Sequence, residues 1–194
     1  MKSHTRVVVI GGGVVGAGTL YHLTKKGCVD AVLIERKELT SGSTWHAAGL
    51  LPLFNMSYSV GQIHRHSLVL YTGLEKETGQ DVGLRQVGNI RLAMNKDRLD
   101  EFYQYAGVAA TIGVQVNFLT PGEIKEIWPL CNVEGLLGGI IHPEDGYIQP
   151  ADLTQALIKG ARNLGAKIYR QTNVIAIEQL KSGEWKVKTN KGII

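Results

Sequence analysis

The stretch Arg6 to Gly18 reads Arg-Val-Val-Val-Ile-Gly-Gly-Gly-Val-Val-Gly-Ala-Gly and constrains the fold more than any other part of the chain. The continuous β-branched run Val7 to Ile10 predicts a parallel strand buried on both faces. Gly11, Gly13 and Gly16 follow it with the spacing G-x-G-x-x-G. In that pattern the first glycine makes a tight turn and the second lets the backbone approach a pyrophosphate. The third, helped here by Gly18, lets the next helix sit close to the strand. The helix is expected to start near Val14, with its free N–H groups and positive dipole end directed at phosphates. Leu20 and Leu23 give it an apolar face, and Lys25 and Lys26 lie near its end before Gly27 stops it. Ala31 to Ile34 reads as a second buried strand, with Glu35 at its end, 19 residues after Gly16. A carboxylate at that point can accept hydrogen bonds from the ribose hydroxyls of an adenosine and repels a 2′-phosphate. The plain alternative is an ordinary βαβ unit with a surface glutamate; the strand-turn-helix context favours a dinucleotide site.

The 194 residues allow one domain and part of a second. Hydrophobic residues make up 44%, a globular share, and the apolar runs are too short to span a bilayer. Met1 to Arg6 meets the first strand at once and leaves no room for a signal or transit peptide, so the expected compartment is the cytoplasm. Cys28 and Cys131 lack metal-ligand spacing and read as reduced thiols. The net charge of +4 is spread along the chain. It suits an anionic cofactor or a carboxylate substrate and forms no basic cluster of the kind nucleic acid requires.

After Glu35-Arg36 comes Lys37-Glu38-Leu39-Thr40-Ser41-Gly42-Ser43-Thr44-Trp45-His46-Ala47-Ala48-Gly49-Leu50-Leu51. Small and hydroxyl-bearing residues precede a Trp-His pair, and another small run follows it. Such a loop can run along a ligand and offer hydrogen bonds to phosphates. On composition alone, a histidine at this point is more often structural or surface than functional, His46 included. Val7 to Leu51 resembles the N-terminus of the flavin-dependent dimethylglycine and sarcosine dehydrogenases, within the D-amino-acid-oxidase-like superfamily. The segment from Gly42 to Leu50 is similar to that family's flavinylation loop. The resemblance implies that His46 carries FAD through a bond to the 8α-methyl carbon of the isoalloxazine, a carbon that a neutral imidazole nitrogen can attack. It also implies that Val14 and Val15 lie against the pyrophosphate and that Glu35 and Arg36 surround the adenosine. Gly42, Ser43, Thr44, Trp45, His46, Ala47, Ala48, Gly49 and Leu50 would then track the cofactor toward the flavin ring.

Residues 52–140 leave the nucleotide fold as a substrate-side insertion between a first segment, 1–51, and a return segment, 141–194. Within the insertion, Tyr58 to Glu77 reads as a helix with Ile63, Leu70 and Leu74 near helical spacing. His64-Arg65-His66 lies within it, and adjacent residues point about 100° apart, which favours a polar face over a metal site. Leu84 to Met94 has strand character around Gly88-Asn89, and Asp97 to Ile112 is an amphipathic helix. Thr120-Pro121-Gly122-Glu123 is a helix start with Thr120 as N-cap. Gly138 to Pro150 carries His142, Glu144 and Asp145 around a Pro/Gly turn. These three could form a metal or acid/base cluster, but a solvated loop is the simpler expectation. Ala151 to Leu164 is an amphipathic helix with Asp152 near its start. Lys167 to Tyr169 fits a third parallel strand, placed next to the first. Asn173 to Glu178 and Trp185 to Thr189 make a hairpin, and Gly192 to Ile194 begins a further strand. The resemblance implies that the backbone of Val174 touches the adenine side of FAD; otherwise Val174 is plain core.

The expected fold is therefore α/β: a Rossmann-type FAD-binding fold of glutathione-reductase-like form, with an inserted α+β layer, incomplete at its C-terminus. The resemblance covers the whole chain but only the front of the family's architecture. The expected activity is that of an N-methylglycine dehydrogenase, oxidising the CH–NH bond of a secondary or tertiary amine and passing electrons to an acceptor protein or oxygen. The family's tetrahydrofolate-binding portion and its catalytic acid and base would lie downstream. No residue here is assigned either catalytic role, no metal is expected, and the chain alone is not expected to be a competent enzyme. Two other readings stand beside this one. One is a regulatory module related to the pyruvate dehydrogenase phosphatase regulator, in which Trp45-His46 would have no use. The other is an oxidase for glycine or proline with non-covalent FAD.

Overall fold

In chain order the elements are β1 (Val7–Ile10), α1 (Val14–Lys25), β2 (Ala31–Ile34), a 3₁₀ turn at Ser43–His46, β3 (Leu50–Leu51), α2 (Tyr58–Thr78), β4 (Asn89–Ala93), α3 (Lys96–Thr111), β5 (Asn117–Leu119), α4 (Pro121–Ile127), β6 (Gly138–His142), β7 (Gly146–Tyr147), α5 (Pro150–Asn163), β8 (Lys167–Tyr169), β9 (Val174–Gln179), β10 (Trp185–Thr189) and β11 (Gly192–Ile193). They come from a computed structural model that describes residues 1–53, 55 and 57–194. The chain forms two units: Met1–Gly49, Gly73–Gly83 and Gln149–Ile194 make the first, and Leu50–Thr72 with Leu84–Ile148 make the second. These lines differ from a division at 51/52 and 140/141. The C-terminal part of α2 and the residues after it go with the first unit, and the β6–β7 turn goes with the second.

In the first unit β2 is the centre of a three-stranded parallel sheet in the order β1-β2-β8. Val7 pairs with Ala31 and Ile10 with Ile34 on one side; Val32 pairs with Lys167 and Ile34 with Tyr169 on the other. The third strand thus lies next to the second, not next to the first as its sequence position suggested. All four residues of β2 are buried. β1, by contrast, is only half-buried and Ile10 is exposed, against the expectation of burial on both faces. The cause is position: β1 is an edge strand, and among the described residues only β2 pairs with it. A second, antiparallel sheet in the order β11-β10-β9 contributes Val187 and Ile194 to a cluster with Val32 and Ile34, and Val174 packs against it.

Helix α1 ends as its glycine requires. Gly27 has φ +87°, its N–H donates to the Thr24 carbonyl, and Cys28 N–H reaches back to Leu23 O. Helix α5 buries Leu153, Ala156, Leu157 and Ala161 and packs against α1. The two approach closely where Gly160 faces Tyr21: a Cβ on Gly160 would stand 2.7 Å from Tyr21 Cε2. The ring is fully buried, and its hydroxyl donates to Glu77 Oε1 at 2.8 Å. Lys25 Nζ meets Glu77 Oε2 at 2.8 Å, so the ring cannot swing aside without breaking this network. Gly160→Val should therefore cost about 1–3 kcal/mol by overpacking. The measurement is urea unfolding, where the midpoint should fall with the slope unchanged.

The second unit holds an antiparallel sheet in the order β4-β6-β5 and the short pair β3-β7. Its core joins Ile140 of β6 to Phe102, Tyr105 and Ala109 of α3, with Leu53, Ala93, Ile112 and Val114. Helix α4 has the full capping box: Glu123 N–H donates to Thr120 Oγ1, and Glu123 Oε2 accepts from Thr120 N–H at 2.7 Å. The extended run before β4 narrows to Asn89–Ala93, because Gly88 at φ +80° breaks it; upstream only Arg85 makes an isolated bridge, to Tyr147.

The expectation of a solvated loop at Gly138 to Pro150 is overturned. His142 and Asp145 are each 1% exposed, and of the three candidate cluster residues Glu144 alone is open to solvent. The reason is tertiary: β6 is the central strand, and Tyr105 of α3 and the segment at Leu53 lie against the residues at and after its C-terminal end. Asp145 Oδ1 accepts the buried Leu53 N–H at 2.8 Å, and its carbonyl accepts Gly88 N–H at 2.9 Å. The Tyr105 ring meets His142 edge-on at 5.3 Å, and Arg91 lies over Tyr105. Burial, aided by the Arg91 charge, pushes the His142 imidazole down to about 4, whereas burial pushes the Tyr105 hydroxyl up to about 12 and raises Asp145. No group of three His, Cys, Asp or Glu side chains among the described residues is set to hold a metal.

This predicts a pH effect of definite sign. The His142 imidazole binds a proton near 6.5 when unfolded and near 4 when folded, so its contribution is intact above pH 6.5 and is lost as the pH falls toward 4. The loss is at most about 3 kcal/mol. Asp145, raised in the folded state, acts in the opposite sense over the acid range. Unfolding followed between pH 4 and 7 in wild type and His142→Gln isolates the histidine: the difference between the two should grow as the pH rises through this window.

Candidate dinucleotide site

The site is built at the C-terminal ends of β1 and β2. Gly11 has φ +111°, and a Cβ on Gly16 would stand 2.0 Å from the Gly11 carbonyl oxygen. Only glycine at 16 lets the first turn of α1 come this close to the strand. The carboxylate of Glu35 locks the turn: Oε2 accepts Gly12 N–H at 2.7 Å and Oε1 accepts Lys37 N–H at 2.8 Å. Each oxygen keeps a further lone pair for a ligand hydroxyl. Gly12 is a residue the motif missed, since the fingerprint treats that position as free. A Cβ there would stand 2.7 Å from Leu39 Cδ2 and 3.0 Å from Glu35 Cβ, so a third adjacent glycine was itself the signal.

Gly11, Glu35, Arg36 and Val174 come together around a cavity of about 260 Å³, completed by Ile10, Ile34, Thr172 and Asn173. Thr172 and Asn173 carried no sequence signal. Thr172 N–H donates to the Glu35 carbonyl, and Glu35 N–H donates to Tyr169 O, which stitches this rim to the sheet.

The loop after Arg36 folds back over the start of α1. Thr40, at φ +71°, donates its N–H to Gly12 O at 3.0 Å and accepts Trp45 N–H at 3.1 Å. The 3₁₀ turn Ser43–His46 lies against α5. Thr44 is buried, and its Oγ1 accepts Val14 N–H at 3.0 Å. The first helical N–H is therefore engaged within the protein and not free, as the bare motif suggests. Gly13 is the N-cap, and its missing side chain faces Thr44 Oγ1, 3.0 Å from where a Cβ would be. Val15 is exposed, as are Gly42, Ser43, Trp45, His46, Ala47 and Ala48; Gly49 is half-buried. Leu50 is exposed and opens β3 in the second unit.

These features define a dinucleotide-binding βαβ unit with a small-residue loop folded over its phosphate end. The family described as FAD dependent oxidoreductase matches residues 6–194, and the chain belongs to it. Among curated relatives, the mitochondrial dimethylglycine dehydrogenase of Rattus norvegicus is 42% identical over 193 residues, covering 100% of this chain and 22% of that protein. The mitochondrial sarcosine dehydrogenase of Homo sapiens is 40% identical, covering 91% of this chain and 19% of that protein. Among solved structures, L-proline dehydrogenase from P.horikoshii superposes with a TM-score of 0.90 at 28% identity, covering 100% of this chain and 51% of that one. The chain thus spans about a fifth of those curated relatives.

The residues present fit the dinucleotide of this family. The space a Cβ would occupy at Gly11 is open, the Glu35 carboxylate keeps lone pairs for a ligand hydroxyl, and both residues border a cavity. Glu35→Gln places an amide where two backbone N–H donors converge, so it weakens the turn as well as the contact expected with an adenosine ribose. Losing such charge-assisted bonds costs about 1.5–3 kcal/mol, roughly ten- to hundredfold in affinity. Titration with adenosine nucleotides should show this loss with an unchanged circular dichroism spectrum.

Proposed function

We propose that this chain is the FAD-binding part of a flavin-dependent amine dehydrogenase that oxidises the CH–NH bond of an N-methylglycine, and that His46 carries the flavin covalently. The substrate class is drawn from the relatives, two of which are named for dimethylglycine and sarcosine. The observation that carries the attachment is the 3₁₀ turn Ser43–His46. It is fixed at Thr44 against the helix that begins at the glycine cradle, and it leaves His46 exposed.

In this reading Gly11 to Gly16 and the exposed start of α1 hold the pyrophosphate, and Glu35 with Arg36 holds the adenosine ribose. Val174 and Asn173 wall the cavity beyond it. His46 supplies a ring nitrogen for the bond. Trp45, 71% exposed beside it, offers a broad apolar face to a ring system. Bound there, the flavin would supply hydride acceptance from the substrate's N-methyl carbon. The protein's own part is to hold the isoalloxazine in one place and keep it from dissociating.

The test uses a full-length protein containing this sequence. Intact mass should show covalent FAD, and flavin fluorescence should survive on a denaturing gel. His46→Ala should still fold and bind FAD reversibly, because the cradle and Glu35 remain, but it should lose the gel fluorescence and oxidise sarcosine or dimethylglycine more slowly. Covalent flavin in that variant overturns the assignment. Flavin released entirely by acid precipitation of the wild type favours a non-covalent oxidase.

A further inference from the structure

Between Ser41 and Gly49 one residue is buried and the rest are exposed or half-buried: Thr44, at 7% exposure. Its hydroxyl oxygen accepts Val14 N–H across 30 residues of sequence at 3.0 Å. Val14 is the first residue of α1, one of the positions whose N–H has no partner inside a helix. The N-cap residue, Gly13, makes no side-chain hydrogen bond to cap it. Thr44 therefore does the capping from outside the helix, and the absence of a Cβ at Gly13 makes room for it. The Thr44 carbonyl accepts Ala47 N–H at 3.2 Å, so the capping residue also closes the turn that ends at His46. Among the described residues, no other side chain from Ser41 to Gly49 makes a hydrogen bond to the rest of the unit.

We infer that Thr44 is a positioning residue for flavin attachment: its hydroxyl, bonded to Val14 N–H, fixes the Ser43–His46 turn so that the imidazole is held in register with the glycine cradle. This rests on His46 being the attachment residue. Thr44 takes no part in bond formation, and it acts on the orientation of a side chain two residues away. The remaining side chains of the turn face solvent and cannot supply that constraint. Without the capping bond, Trp45 and His46 would be joined to the cradle only through backbone contacts at Thr40 and Gly42.

The experiment measures two quantities. The first is the rate of covalent attachment when the full-length apoprotein is mixed with saturating FAD, read by intact mass, for wild type, Thr44→Val and Thr44→Ser. Thr44→Val keeps the shape and loses the acceptor, so attachment at saturating FAD should slow about tenfold, the scale of one buried hydrogen bond. Thr44→Ser should restore it. Measuring at saturation separates attachment from FAD affinity, which a general loosening of the loop would also lower. The second is hydrogen exchange at the Val14 amide of the wild-type apoprotein, which needs no variant to fold. It should be protected, and free exchange there overturns the inference. Attachment by Thr44→Val at the wild-type rate also overturns it while leaving the role of His46 intact. A wild-type protein without covalent flavin overturns the reading of His46 itself.

Discussion

A Cβ on Gly16 would stand 2.0 Å from the carbonyl oxygen of Gly11, and the rest of the first unit depends on that space being empty. The obstructing atom is backbone, so no side-chain rotation relieves it. With hydrogen at that point, the first turn of α1 closes onto the end of β1. Gly12 N–H is then within reach of Glu35, and Val14 N–H within reach of Thr44. One missing methyl group therefore sets the geometry of a helix terminus, a carboxylate and a loop at once. Two of the cradle's N–H groups, those of Gly12 and Val14, are held by the protein itself before any ligand arrives.

The two units use the same device for different ends. Glu35 and Asp145 both follow a strand, and both accept a backbone N–H from a distant segment: Gly12, 23 residues away, and Leu53, 92 residues away. Glu35 is half-exposed and borders a cavity, so its remaining lone pairs can meet a ligand. Asp145 is buried, and its Oδ2 has no partner among the described residues. An unmet buried acceptor costs about 1–3 kcal/mol, and burial accordingly raises the Asp145 pKa. That carboxylate is a structural tie whose strain is confined to the second unit's core.

Features set by local chemistry were legible in the sequence. The G-x-G-x-x-G turn, the Thr120–Glu123 capping box and the glycine stop after α1 each depend on residues within a few positions of one another. The helices at Asp97 to Ile112 and Ala151 to Leu164 were placed to within a residue at each end, since each carries its own apolar face. Contacts between distant segments were not legible. Nothing local to Lys167–Tyr169 says that it pairs with β2 and not β1. Nothing in His-Pro-Glu-Asp-Gly says that it follows a central strand, where His and Asp are covered and Glu is not. The engagement of Val14 by Thr44 was hidden for the same reason, and so was the role of Gly12, which the motif leaves unspecified.

The loop from Thr40 to Gly49 divides its duties between backbone and side chains. Its backbone is bound at four points: Thr40 to Gly12, Ser41 to Glu38, Trp45 to Thr40 and Gly42, and Ala47 to Thr44. From Ser41 to Gly49, Thr44 is the one buried side chain. Trp45 and His46 are left to solvent, with their orientation set from below by the turn that carries them. A side chain that must form a bond needs access, and one that must form it at a given atom needs a fixed origin. Burying Thr44 while exposing its neighbours supplies both within a single 3₁₀ turn.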